Sequence, residues 1–283
     1  MNVAIWGAGI TGKRVLSELI QNKEMNEDGI VFLDSDLDKH KTMFEGHMVY
    51  HYSWLKTNSI DLLVLGTYTG YREILSILQS MNADIKRIDA SYVELQYTAR
   101  IAFLHNLAPL LSDVMGCVAE VGVYRGEFAK YINQYFDSRT LYLYDTFQGF
   151  DAQDVYIEKT KNQNLVSFRV GALSDTSEEF VMSKMKNPDK VRIIKGHFPD
   201  SFDQSNERFA FVNVDMDLYE PTKKAICIFY PLMEQKGVIL IHDFYNPDCQ
   251  LVSQAVCDAE RELGISFIKL PVGDKMSVAI IKD

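Results

Sequence analysis

In "FVNVDMDLYEPT", residues 211–222, two aspartates close an apolar run, and in "GVILIHDFY" a histidine–aspartate pair closes the next one. A carboxylate is costly to strip of water unless a cation or a donor stands beside it, so Asp215 and Asp217 need partners. If the two runs are neighbouring parallel strands, Asp215, His242 and Asp243 converge on one rim. Oxygen donors with one imidazole suit a divalent cation such as Mg2+ or Mn2+. Such an ion would hold a substrate's vicinal hydroxyls and acidify one of them. The plainer alternative is that Asp215 and Asp217 cap backbone amides and His242 is a satisfied core residue.

Two glycine turns could hold ligands. The first, "GAGITG", gives Gly7, Gly9 and Gly12 the G-x-G-x-x-G spacing between a strand and a helix, which lets a backbone approach a pyrophosphate. Asp34 ends the following strand, where a ribose hydroxyl would be read. A bound nucleotide or nucleotide-sugar and a purely structural packing of helix on strand both fit that pattern. The second turn, "AEVGVYRGEFAKYI", follows Glu120 and has Gly122 and Gly126 but no third close glycine. A carboxylate there repels pyrophosphate and suits a ligand with an amino group or a sulfonium. Asp145 ends the next strand, "TLYLYD", placed for ribose hydroxyls.

The elements that must carry these residues alternate. Strand, turn and helix recur from Val3 to about Ser91, then a helical stretch with Leu104, Leu107, Leu110 and Leu111 on one face, then a second strand–helix series. This predicts an α/β protein with parallel sheets: a Rossmann-like half domain over 1–91, a helical linker over 92–112 and a larger domain over 113–283. The end, "ISFIKLPVGDKMSVAIIKD", reads as a hairpin, which forces the last strand antiparallel to its neighbour.

Composition narrows the partners. With 283 residues, a formal net charge of −10 and no dense run of Lys and Arg, the chain disfavours nucleic acid and anionic membranes. Four cysteines without a CxxC pair read as free thiols of a reducing compartment, and no apolar stretch reaches spanning length, so the expected location is the cytoplasm.

The second glycine turn, Asp145 and the closing hairpin together resemble the S-adenosylmethionine site of class I methyltransferases, whose mainly parallel seven-stranded sheet has an antiparallel last strand. "AEVGVYRGEFAKYI", "LYDTFQGF", "IKGHFP", "VNVDMDLYEPT" and "GVILIHDFY", in that order over about Leu104 to Asp283, resemble the macrocin O-methyltransferase (TylF/MycF-type) family. That resemblance implies S-adenosylmethionine-dependent methyl transfer to a sugar hydroxyl, assisted by a divalent metal, in polysaccharide or secondary-metabolite synthesis. It places the cofactor on Glu120, Gly122, Tyr124, Gly126, Asp145, Thr146, Phe147 and Leu173, and the metal on Asp215, His242 and Asp243. Asp215 and His242 become the catalytic pair, with Tyr219 and His197 as candidates for the acceptor pocket and Asp217 bracing the loop. The chain departs from the family where His242 replaces an aspartate, which weakens Mg2+ binding, favours a softer divalent ion or makes His242 a base. The first 90 residues lie outside the resemblance. An NAD-using oxidoreductase or epimerase and a non-catalytic nucleotide sensor are the rival readings. The acceptor, expected to be chosen by a loop over residues 151–164, and a homodimer through the linker stay open.

Overall fold

The computed structural model describes residues 1–21, 29–67, 71–81, 83–161, 168–246 and 249–283. The chain divides into two compact units, Met1–Thr98 and Ala99–Asp283.

In the first unit the apolar runs become β1 (Val3–Trp6), β2 (Ile30–Asp34) and β5 (Leu62–Leu65), with helices α1 (Ile10–Gln21) and α2 (Tyr71–Met81). Every residue of β1 and β5 is buried, as expected of parallel strands covered on both faces. Two short strands extend the sheet beyond the sequence reading, β3 (Met43–Phe44) and β4 (His47–His51), and β6 (Ile88–Asp89) ends it. The order is β3-β4-β2-β1-β5-β6. "HMVYH" carries little apolar signal because only Val49 of β4 is buried.

The division between the units falls inside helix α3 (Ser91–Leu110). Its later residues Leu104 and Leu107, together with Leu111 just beyond it, pack on the second core. That core surrounds β7 (Cys117–Val121), β8 (Leu141–Asp145), β9 (Val191–Lys195), β10 (Phe209–Val214), β11 (Met233–Ile241), β12 (Ile268–Pro271) and β13 (Val278–Ile281). Among the described residues these form a seven-stranded sheet in the order β12-β13-β11-β10-β7-β8-β9. Along β10, Phe209, Val212 and Val214 belong to one cluster and Ala210 and Phe211 to the other, so each cluster covers one face. The two consecutive residues in the second cluster coincide with a register shift between Phe209 and Phe211. The hairpin forms as the sequence predicts, and β13 runs antiparallel to both β11 and β12.

Register sets the rim. Val214 lies opposite Val121 on one side and Ile241 on the other, and Val121 lies opposite Tyr144. The next residue of each strand therefore emerges at one edge: Gly122, Asp145, Asp215 and His242. Helices α4 (Ala129–Tyr135), α5 (Ala152–Lys161), α6 (Glu178–Met182), α7 (Tyr219–Leu232) and α8 (Gln250–Leu263) connect the strands. One correction concerns the expected specificity loop. Residues 152–161 of it are the helix α5, and 162–164 lie outside the described residues.

Candidate active site

The two strand-end motifs meet as the register requires. His242 Nδ1 lies 3.0 Å from Asp215 Oδ1 and 2.8 Å from Asp243 Oδ2, and Asn246 donates to Asp243 Oδ1 at 2.7 Å. Asp217 shares a hydrogen bond with Asp243. Asp217 and Asp243 both hold left-handed backbone, φ 59° each, a conformation aspartate tolerates better than most residues. Burial alone would push the Asp215 carboxyl up, but the charges of His242 and Arg100 outweigh it and hold Asp215 well below the usual carboxylate range. Burial and Arg100 press the His242 imidazolium down, and Asp215 and Asp243 overcome both, leaving its pKa at about 10. Asp217 goes the other way: burial, then Asp243 and Asp215, raise it well above its ordinary value. The rim thus sets two carboxylates held low against an imidazolium held high, while Asp217 is pushed toward its neutral form.

Three residues here escaped the sequence reading. Arg100, on α3, donates through Nη2 to Asp215 Oδ2 at 2.9 Å and to Asn213 Oδ1 at 2.8 Å. Its guanidinium stacks on the Phe128 ring, 4.0 Å from the centroid. Asn213, inside the otherwise apolar β10, passes the connection on by donating to Glu120 Oε1 at 2.8 Å. Both polar residues carried a signal, since each interrupts an apolar stripe.

The second glycine turn is built around Asp145. Its Oδ2 accepts from the amides of Val123 and Tyr124, each at 2.8 Å, and its Oδ1 from Phe147 at 2.7 Å. A carboxylate has about four acceptor sites, so one stays available. Gly122, at φ 85°, faces the Asp215 carbonyl so closely that a Cβ would overlap it. Gly126 closes the turn by donating to Val123 O at 2.8 Å. Tyr124 holds left-handed backbone and donates its hydroxyl to Asp175, and burial and that contact push its pKa to about 12. Thr146 bonds within the loop to Gly149 O, the Phe147 ring is buried in the core and Leu173 is exposed. Glu120 is only 2% exposed and its Oε2 has no hydrogen-bond partner. Burial, with Asp215 next, raises its pKa well above the ordinary range. A buried acceptor left open beside a glycine turn fits a cationic ligand such as the ammonium of S-adenosylmethionine.

The remaining candidates sit elsewhere in the fold. Tyr219 donates its amide to Glu158 and its hydroxyl to Asp258, and so ties α7 to α5 and α8. His197 stands between Asp154 at 2.8 Å and Asp200 at 3.2 Å; burial presses its pKa down, and the Asp154 contact more than restores it. In the first unit, a Cβ on Gly12 would overlap Gly7 O, and one on Gly7 would approach Gly66 O at 2.8 Å, whereas Gly9 faces open space. Asp34 accepts from Ala8 N, Asp36 N and Lys39 Nζ.

A divalent ion can be tested against the rim. One donor atom each from Asp215, His242 and Asp243 lies within 4.8 Å of the others, close enough to converge on one ion. Charge does not fit. Asp215 already faces two cations, His242 and Arg100, and His242 Nδ1 is committed to the carboxylates beside it. A dication would be held next to the Arg100 guanidinium.

Comparison with known proteins finds a family for each part of the chain. The model of the macrocin-O-methyltransferase family (TylF) matches residues 97–266, and that of the family "C2185-like, N-terminal" matches residues 1–89. The mycinamicin III 3''-O-methyltransferase of Micromonospora griseorubida is 30% identical over 174 residues, which cover 57% of this chain and 67% of that protein. The demethyldecarbamoylnovobiocin O-methyltransferase of Streptomyces niveus is 28% identical over 165 residues, 52% of this chain and 62% of that one. The chain therefore spans about two thirds of the length of each of these relatives. Among solved structures, the O-methyltransferase NovP gives a TM-score of 0.52 at 23% identity over 65% of this chain and 79% of its own. CalS11, a calicheamicin methyltransferase, gives 0.53 at 16% identity over 81% and 89%. At these identities the likeness shows the fold.

Proposed function

Because this chain belongs to the macrocin-O-methyltransferase (TylF) family and is a methyltransferase, we propose that it carries the methyl of S-adenosylmethionine to a hydroxyl of a sugar or glycoside. The observation that carries this reading is the pair of carboxylates at the second glycine turn: Glu120 with an open buried oxygen, and Asp145 with one acceptor site left. Glu120 suits the amino group of the donor and Asp145 its ribose, with Phe147 and Leu173 toward the adenine.

When bound, S-adenosylmethionine supplies an already activated methyl carbon, so the protein's share is mainly alignment, worth on the order of 7–11 kcal/mol when well made. Asp215 is the proposed acceptor of the hydroxyl's proton. Its low pKa makes it a weak base, and a weak base suffices, because the oxygen becomes strongly acidic as the new C–O bond forms. His242, held protonated by its two aspartates, orients Asp215 as a donor. For metal assistance, the reading drawn from the sequence, the donors are Asp215, His242 and Asp243. The cations already seated on those oxygens favour turnover without it.

For the first glycine turn we favour a packing role, because Gly7 and Gly12 are needed for backbone contact and Asp34 is paired with Lys39. No helix among the described residues is long and apolar enough to cross a membrane. The test is methyl transfer from labelled donor to a panel of sugars and nucleotide-linked sugars. Labelled product that needs Asp215 supports the reading. Donor binding with no transfer to any alcohol in the panel, but transfer to an amine or carbon acceptor, refutes it.

A further inference from the structure

The rim contains a permanent cation that its motifs do not announce. Arg100 lies on the stripe of α3 that carries Leu104 into the core, and only 8% of it is exposed. Its ring contact with Phe128 and its two bonds through Nη2 fix the guanidinium in place, while Nε has no hydrogen-bond partner. An arginine keeps its charge at any pH a protein survives. The acids around it are Asp215, Glu120 and Asp274. Asp274 is itself buried and braces the terminal hairpin, accepting from the amides of Met276 and Ser277 and from the Ser277 hydroxyl.

In the three-carboxylate rim that the resemblance implies, a dication is what neutralises the acids. Here one of the three positions is His242, which is never an anion, and Asp215 Oδ2 already accepts from Arg100 at 2.9 Å. An ion bound to Asp215 would share its ligand with a buried guanidinium, with one negative charge fewer to hold it.

We propose that Arg100 supplies, as a fixed part of the fold, the positive charge that a divalent ion supplies in a three-carboxylate rim, and that this rim takes up no divalent cation. Arg100 is then a positioning residue. It holds Asp215 by one oxygen, and through Asn213 it steadies Glu120 on the donor side. The inference rests on the methyltransferase reading.

Manganese(II) alone serves as the probe, titrated into the metal-stripped full chain with S-adenosylmethionine present and followed by electron paramagnetic resonance. Donor affinity is measured by calorimetry on the same samples. The wild type should leave the free-ion signal unchanged, and Arg100→Lys, which keeps the charge, should do the same. Arg100→Met combined with His242→Asp restores three carboxylates without a guanidinium and should tighten Mn2+ binding by roughly 10–100-fold. Should the double variant fail to bind donor, the wild type and Arg100→Lys still decide. Wild-type protein that binds Mn2+, and loses it on Asp215→Asn, overturns the proposal while leaving the methyltransferase reading intact. A wild type that binds no donor sinks that reading instead.

Discussion

The chain builds one local device twice, and the two copies differ where it matters. In each unit an apolar strand turns through glycines into a helix, and the aspartate ending the next strand reaches back to the amides of that turn. Asp34 does so at 2.9 Å to Ala8, and Asp145 at 2.8 Å to both Val123 and Tyr124. At the first turn Lys39 answers Asp34 at 3.0 Å, and Gly12 packs against Gly7. At the second, no side-chain cation among the described residues pairs with Asp145, and the neighbouring Glu120 has an oxygen with no partner. Glycine spacing reports how closely backbone meets backbone. A buried carboxylate oxygen left without a partner, as on Glu120, is the feature that can answer a cationic ligand.

Several substitutions can break or sharpen that contrast. The largest effect is expected at the rim beside the second turn. Asp215→Asn should lower methyl transfer by ~10²–10⁴-fold with donor affinity unchanged, compared by turnover and calorimetry. Next come the packing glycines. Gly122→Ala puts a Cβ onto the Asp215 carbonyl at positive φ and should cost about 2–5 kcal/mol in chemical denaturation. Gly12→Ala should cost a similar amount in the first unit. Equal tolerance of both would undo the packing account.

Acid and base should then part the units. His242 has its pKa raised from 6.5 to about 10, so its contribution to stability is complete below pH 6.5 and is lost as pH rises toward 10. Asp215 and Asp243 have theirs lowered, so their contribution is present above about pH 3.8 and is lost below it. The second unit should be most stable between these limits, and His242→Gln should flatten the alkaline fall in melting temperature. A smaller signal comes from Glu120. Burial raises its pKa and a bound ammonium would lower it again, so donor binding should release protons, read by calorimetry in buffers of different ionisation enthalpy. The smallest effect is expected at Gly9→Ala, where nothing lies within 4 Å of the new Cβ, so stability should stay within ~0.5 kcal/mol.

Much of this was legible because buried parallel strands read as apolar runs, and an acid at the end of such a run is conspicuous. Glu120, Asp145, Asp215 and His242 were found that way, and the "LPVGDK" turn revealed the hairpin. Less visible was structure whose signal is mixed. β4 exposes most of "HMVYH", and α5 has an uneven pattern, with Asp154 and Glu158 among its buried residues, so it passed for loop. The link from Arg100 to Asn213 to Glu120 joins residues more than 90 positions apart, and no spacing rule connects them. The clue was a charge or an amide on a face that should have been apolar, which marks a buried residue as important without naming its partner.

The most direct test of the central claim, that the second turn and not the first is the donor site, is a calorimetric titration of S-adenosylmethionine into the wild type, Asp145→Ala and Asp34→Ala. The account predicts one site per chain, weakened about tenfold or more in Asp145→Ala and unchanged in Asp34→Ala. Binding that is indifferent to Asp145, or that disappears with Asp34, would contradict it.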